Sequence, residues 1–273
     1  DQEEREAFQE VDFRRMFGPL TKWTAQIEDA RRIPEIVSQA FHRAVNGRPG
    51  PVAIALPEDM LTDTVDVADA EHYVIARGSQ SAAQMSALRE RLAQAKRPLA
   101  ILGGGGWDAQ AVADFAAFAK AMHLPVGTSF RCQDLIDNDH PCYAGDVGIG
   151  LNPKLAARVK DADLLLVVGA RLGEMTTSGY TLVDVPVPKQ ALIHVHPAPE
   201  ELGRVYQTVL PINSGMAAFA AMAKARAPVD AWAWAKETAT AHAEYLAWQK
   251  HDTNPGDVQM GDIMDWRRDT LPA

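Results

Sequence analysis

Leu99 to Phe115 read LAILGGGGWDAQAVADF: a short apolar run, four glycines, then an apolar-periodic segment. Gly104, Gly106 and Ala109 satisfy G-x-G-x-x-A, with a predicted strand before and a predicted helix after. In that context backbone N–H groups and a helix N-terminus can face a phosphate. A dinucleotide fingerprint also wants an acid at the end of the next strand. There the sequence reads VGTSF, with Thr128 and Ser129 and no acid. Two readings stay open: contact with a cofactor phosphate through Gly104, Gly105, Gly106 and Thr128, or a tight strand-to-helix turn. Arg171, in VVGARLGEM, directly follows a predicted strand. A guanidinium there suits a diphosphate or a carboxylate; the alternative is an ion pair with Glu174 or Asp184. His194 and His196 alternate on one predicted strand and so share a face. No third ligand stands at metal spacing, so a hydrogen-bonded edge pair is expected. G-x-S-x-G and G-x-x-x-x-G-K-[ST] are both missing, against a hydrolase elbow and a P-loop. Cys132 and Cys142 lack zinc-knuckle spacing and read as two reduced thiols of a cytoplasmic protein.

The elements that must position these residues alternate in type. Ile36, Val37, Ala40, Phe41 and Ala44 recur at helical spacing after Pro34, Gly47 stops that helix, and GRPGP turns the chain into VAIAL, a run typical of a strand buried on both faces. Leu61 to Gln80 is polar, acidic and non-periodic, and reads as an interdomain linker. Beyond it the expected order is helix 81–95, strand PLAILG, helix 109–122, strand LPVGTS, a long loop 130–152 and helix 153–160. Strands ADLLLVVG, ALIHVH and TVLPI follow, then a helix 214–225 with Ser214 as its N-cap. Such alternation implies a parallel sheet covered on both faces, an α/β fold of Rossmann-like form plus part of a second α/β domain. Ligands in such sheets bind outside the carboxyl ends of the strands, here 103–106, 127–130, 169–171 and 194–197. After Pro228, VDAWAWAKETATAHAEYLAWQKH reads as one long helix and a further helix starts near Val258. Its tryptophans are read as packing.

The chain has 273 residues, 47% of them apolar and 23% charged, with a net charge of -9. An acidic balance argues against a nucleic-acid partner. No apolar run approaches the ~20 residues that span a bilayer, and the first residues do not form a signal peptide.

The order of the pieces resembles a family. REAFQEVD, FGPLTKW and IPEIVSQAFHRAVNGRPGPVAIALPEDM look like the end of the pyrimidine-binding domain of thiamine-diphosphate enzymes of the acetolactate synthase group. RPLAILGGGG, PVGTSF, HPCYAGDVG, ADLLLVVGARLGE and LIHVHPAPEELGRVY resemble that group's central domain in order and spacing. The resemblance implies residues 1–60 as the end of the first domain, 61–80 as linker, 81–228 as central domain, and 229–273 as a helical tether into a diphosphate-binding domain. It implies a thiamine-diphosphate- and Mg²⁺-dependent carboligase or decarboxylase of 2-keto acids, a cytoplasmic homodimer or homotetramer. The activating glutamate and the G-D-G…N motif are not matched by GDV at Gly145 or GDI at Gly261. The chain is therefore expected to be part of a longer protein and inactive by itself. In the AFQE and TK segments, Phe8, Gln9 and Lys22 are implied to line the substrate pocket: an aromatic wall, an amide and a cation. Central domains of the group hold FAD, an ADP-like group or nothing, and Arg171 and His196 fall at the nucleotide edge. FAD-binding members carry DID where this chain reads VHPAPEE, so His196 stands where an acid is expected. The alternative is a non-catalytic FAD- or ADP-binding module in a regulatory or redox role.

Overall fold

A run such as Leu-Leu-Leu-Val-Val at 164–168 has no polar position, so both of its faces need cover. The computed structural model describes residues 4–8, 10–229 and 233–271. It divides into two compact units: residues 1–79 with 197–199, and residues 80–196 with 200–273.

In the first unit α1 (Phe13–Phe17) precedes β1 (Trp23–Gln26), α2 (Ile33–Val45) and β2 (Val52–Ala55). The two strands pair in parallel, Trp23 opposite Val52 and Gln26 opposite Ala55. Ile27, Ala30, Ile36 and Met60 form its small core. Strand β2 is half-buried along its length rather than buried on both faces as VAIAL suggests, because only β1 lies beside it among the described residues. β1 was not expected; TKWTAQ mixes polar and apolar residues without a clear period. Residues 63–81 have no regular structure, yet Tyr73 stacks on Phe41 of α2 (5.2 Å, 5°) and the Ala76 N–H donates to Asn46 Oδ1 (2.8 Å).

The second unit runs α3 (Ala82–Gln94), β3 (Pro98–Leu102), α4 (Ala109–Ala121), β4 (Val126–Ser129), β5 (Tyr143–Val147), α5 (Pro153–Asp161), β6 (Leu164–Val168), β7 (Ala191–His196), β8 (Leu210–Asn213), α6 (Met216–Lys224), α7 (Ala235–Trp248) and α8 (Met260–Thr270). Six parallel strands lie in the order β5-β4-β3-β6-β7-β8, and the order reverses between β3 and β6. Side chains alternate between faces as strand geometry requires. Leu164, Leu166 and Val168 join Phe115, Phe118, Phe219 and the α3 leucines on one side. Leu165 and Val167 join Leu155, Val159, Leu182 and Tyr206 on the other. Helices α3, α4 and α6 thus cover one face; α5, α7 and the segment after β6 cover the second.

Three expectations are corrected here. β5 lies inside the stretch expected to be loop; it is an edge strand too short and glycine-interrupted (YAGDV) to show a period. α7 covers it, with His242 Nδ1 2.9 Å from the Tyr143 carbonyl and Tyr245 edge-on to the Tyr143 ring. The N-cap of α6 is Gly215, not Ser214, whose hydroxyl instead donates to Gln80 Oε1 (2.6 Å). The helix expected from 229 begins, among the described residues, at Ala235, and the last helix begins at Met260.

Candidate functional site

β3 ends at Leu102 and the chain must turn sharply to launch α4. Gly103 is buried, and its N–H donates to the Val168 carbonyl (3.0 Å), so the turn lies against the end of β6. A Cβ on Gly103 would run into Ser129 Oγ. One on Gly104 (φ +69°) would run into the Gly169 carbonyl oxygen, and one on Gly169 (φ +75°) into the Gly103 oxygen, with Met216 Sδ 2.7 Å away. The two adjacent strand ends therefore meet backbone to backbone, which only glycine permits. Gly106 is glycine for conformation (φ +84°), and nothing lies within 4 Å of a Cβ on Gly105. Trp107 folds back over this junction. Its Nε1–H donates to the Gly103 oxygen (2.9 Å), and its ring sits edge-on to Phe115 at 6.0 Å. Asp108 caps α4, accepting the Ala111 N–H at 2.7 Å. Thr128, fully buried, shares a 3.2 Å hydrogen bond with the Tyr143 hydroxyl. Burial pushes that tyrosine's pKa up to about 12.

A second cluster forms at the ends of β6 and β7. Arg171 Nε lies 3.4 Å from Glu201 Oε1 and Arg204 Nη1 2.9 Å from the same oxygen, so Arg171 pairs with Glu201 rather than with Glu174 or Asp184. These side chains, with Tyr180, His194 and Tyr206, line a cavity of about 120 Å³. Tyr180 is presented by three successive left-handed residues, Ser178, Gly179 and Tyr180 (φ +49°, +65°, +63°). Tyr206 is 4% exposed, and its hydroxyl, near Thr177, has no hydrogen-bond partner of good geometry among the described residues. His194 Nε2 lies 2.9 Å from the Ala170 carbonyl, and burial pulls its pKa down to about 4, so the ring is neutral and donates that bond. The His194 and His196 rings lie edge-on at 5.9 Å, on one face as their spacing demands. Among the described residues no group of three His, Cys, Asp or Glu could hold a metal ion. Glu201 and Arg204 were legible as an i, i+3 pair in EELGRVY; nothing local to the sequence marks Tyr206 or Tyr180 as their neighbours.

The residues expected to line a substrate pocket are in the first unit. Phe8 is 94% exposed. Gln9 lies outside the described residues. Lys22 Nζ donates to the carbonyls of Asn46 (2.7 Å) and Arg48 (2.8 Å), just beyond α2, where a cation also meets the negative end of the helix dipole. Among the described residues, neither GDV at Gly145 nor GDI at Gly261 belongs to a group of acids that could hold Mg²⁺. Burial pushes the Asp146 carboxyl toward its protonated form and leaves its Oδ1 without a partner, while Asp262 faces His251 at 3.3 Å.

The family profile described as "Thiamine pyrophosphate enzyme, central domain" matches residues 85–223. Acetolactate synthase isozyme 2 large subunit of Escherichia coli K12 is 27% identical over 253 residues, 93% of this chain and 45% of that protein. Acetolactate synthase large subunit of Corynebacterium glutamicum is 29% identical over 212 residues, 76% of this chain and 33% of that protein. Glyoxylate carboligase of Escherichia coli O157:H7 is 29% identical over 205 residues, 74% and 34%. The chain thus spans a third to just under half of the length of these relatives.

Proposed function

This chain belongs to the thiamine pyrophosphate enzyme family, whose central domain it carries, and from that premise we propose that the whole protein is a thiamine-diphosphate-dependent carboligase or decarboxylase of 2-keto acids. The observation that carries this reading is the central-domain match over residues 85–223, joined to relatives named as acetolactate synthases and a glyoxylate carboligase. Thiamine diphosphate would supply the carbanion that adds to the keto carbon. The relatives are two to three times as long as the stretch matched here, and the cofactor, Mg²⁺ and the activating glutamate are proposed to belong to the parts of such a protein that this chain does not match, the chain by itself being inactive. The other proposed divisions are the end of the pyrimidine-binding domain (1–60), a linker (61–80), the central domain (81–228) and a tether with the start of the diphosphate-binding domain (229–273).

Phe8, Gln9 and Lys22 are the proposed substrate contacts, in a pocket completed by a second copy in a homodimer or homotetramer. An aromatic as exposed as Phe8 fits a side chain awaiting a cover. Lys22 would reach a substrate carboxylate by releasing one of its two carbonyls. The free thiols of Cys132 and Cys142 fit a cytoplasmic location. The reading as a FAD- or ADP-binding regulatory module is not favoured, since the named relatives are synthases and carboligases.

The test is CO₂ release from pyruvate and from glyoxylate by the whole protein, with and without thiamine diphosphate and Mg²⁺. Turnover that needs both is expected, with Lys22→Ala raising KM roughly tenfold, a larger effect than the modest fall in melting temperature that loss of its two carbonyl contacts brings. No cofactor-dependent turnover on any 2-keto acid would remove the assignment, and an unchanged KM would take Lys22 out of the pocket.

A further inference from the structure

We infer that Trp107 is a built-in plug: it closes the crevice between the carboxyl ends of β3 and β6, so that this central domain takes no dinucleotide there. In an open parallel sheet the ligand crevice lies where the strand order reverses, because the connections leave the two neighbouring strand ends in opposite directions. That place is the β3–β6 junction. The chain itself reaches into it. The Gly103 and Gly169 carbonyl oxygens, the Met216 sulfur and the Trp107 indole nitrogen converge on it, the last lying 3.3 Å from where a Gly169 Cβ would stand.

A diphosphate at such a turn needs backbone N–H groups and a helix N-terminus free to face it. Here the Gly103 N–H is held by Val168 and the Gly169 N–H by Val195 (2.8 Å), while Gly104, Gly105 and Gly106 are exposed, so the obstacle at the turn is the indole and the cap beside it. The first turn of α4 already holds an anion, the Asp108 carboxylate on the Ala111 N–H. A phosphate entering there would meet a like charge across a few ångströms and would have to displace an indole anchored at both ends, by its bond to Gly103 and by its packing on Phe115. Among the glycines that suggest a cradle, Gly104 is explained by backbone meeting backbone, Gly103 by the approach of Ser129 and Ala170, and Gly106 by its left-handed conformation, while Gly105 is unconstrained.

The experiment is calorimetric titration of ADP and of FAD into the full chain, comparing wild type with Trp107→Ala/Asp108→Asn. Asparagine caps a helix as well as aspartate, so the second change removes charge and leaves the cap. Wild type is expected to show no saturable binding and to purify without flavin absorbance. The double variant is expected to bind ADP at least about tenfold more tightly than wild type. Should the alanine variant fail to fold by circular dichroism, Trp107→Leu/Asp108→Asn keeps the apolar contact with Phe115 and serves the same purpose. Micromolar binding of either nucleotide by wild type overturns the inference, as does a folded double variant with no gain. The readout is binding alone, so its failure is separable from failure of the thiamine-diphosphate reading, which is read from turnover.

Discussion

Two places on one sheet edge, a single strand apart, solve opposite problems. At the β3–β6 junction two glycine turns press their backbones together, an indole donates to the Gly103 oxygen and Asp108 caps the helix that follows. At the β6–β7 edge two guanidiniums share one carboxylate oxygen, a buried tyrosine hydroxyl has no partner, and three left-handed residues hold a loop over a small cavity. The glycine-rich place looks like the binding site in sequence; in structure its Gly103, Gly104 and Gly169 are required by the close approach of the two strand ends. Unsatisfied donors and backbone strain mark sites more reliably than glycine does, because each costs stability that packing alone would have removed.

The comparison can be broken most sharply at the glycines. Gly104→Ala adds a Cβ against the Gly169 carbonyl in a left-handed conformation, and a loss of at least about 3 kcal/mol is expected in urea unfolding. Gly105→Ala, with open space around it, should change stability by less than about 0.5 kcal/mol. Equal effects at the two positions would mean that the junction is not packed as described.

The β7 edge offers the next test. His194 is neutral in the fold, with a pKa of about 4 against 6.5 unfolded. Between those values the unfolded chain binds a proton that the folded chain refuses, so stability falls as pH drops from 6.5 toward 4. The full effect is on the order of 3 kcal/mol. His194→Gln keeps a donor for the Ala170 carbonyl and cannot titrate; its melting temperature should lose that part of the acid slope, and an unchanged slope would show that the ring is not buried neutral. The smallest effect is expected at Tyr206. Removing an unpartnered buried hydroxyl in Tyr206→Phe should stabilise by up to about 1 kcal/mol. A loss of stability would show that the hydroxyl has a partner after all.

Much of the second unit was legible in the sequence. LLLVV, PLAIL and the alternating helices specify a parallel sheet covered on both faces, because an unbroken apolar run has no face to offer water. β5 was not legible: five residues with a glycine at the centre carry no period, and pairing with β4 and cover from α7 make them a strand. β1 escaped for a similar reason, since its register against β2 supplies what its composition does not. Of the candidate site, Arg171, His194 and His196 were placed at the correct edge by strand spacing. The cluster around Arg171 was not, because Glu201, Arg204 and Tyr206 reach it from the segment after β7, and only the fold brings that segment back beside β6.

The sequence by itself determined the layered α/β class, the strand ends where chemistry belongs and the family, because these depend on local period and on the order of motifs along the chain. What surrounds GGGG was decided by tertiary structure alone. Glycine is compatible with a phosphate and with a neighbouring backbone alike, and the arrival of Gly169, Met216 and Trp107 within the same few ångströms depends on residues far apart in the chain.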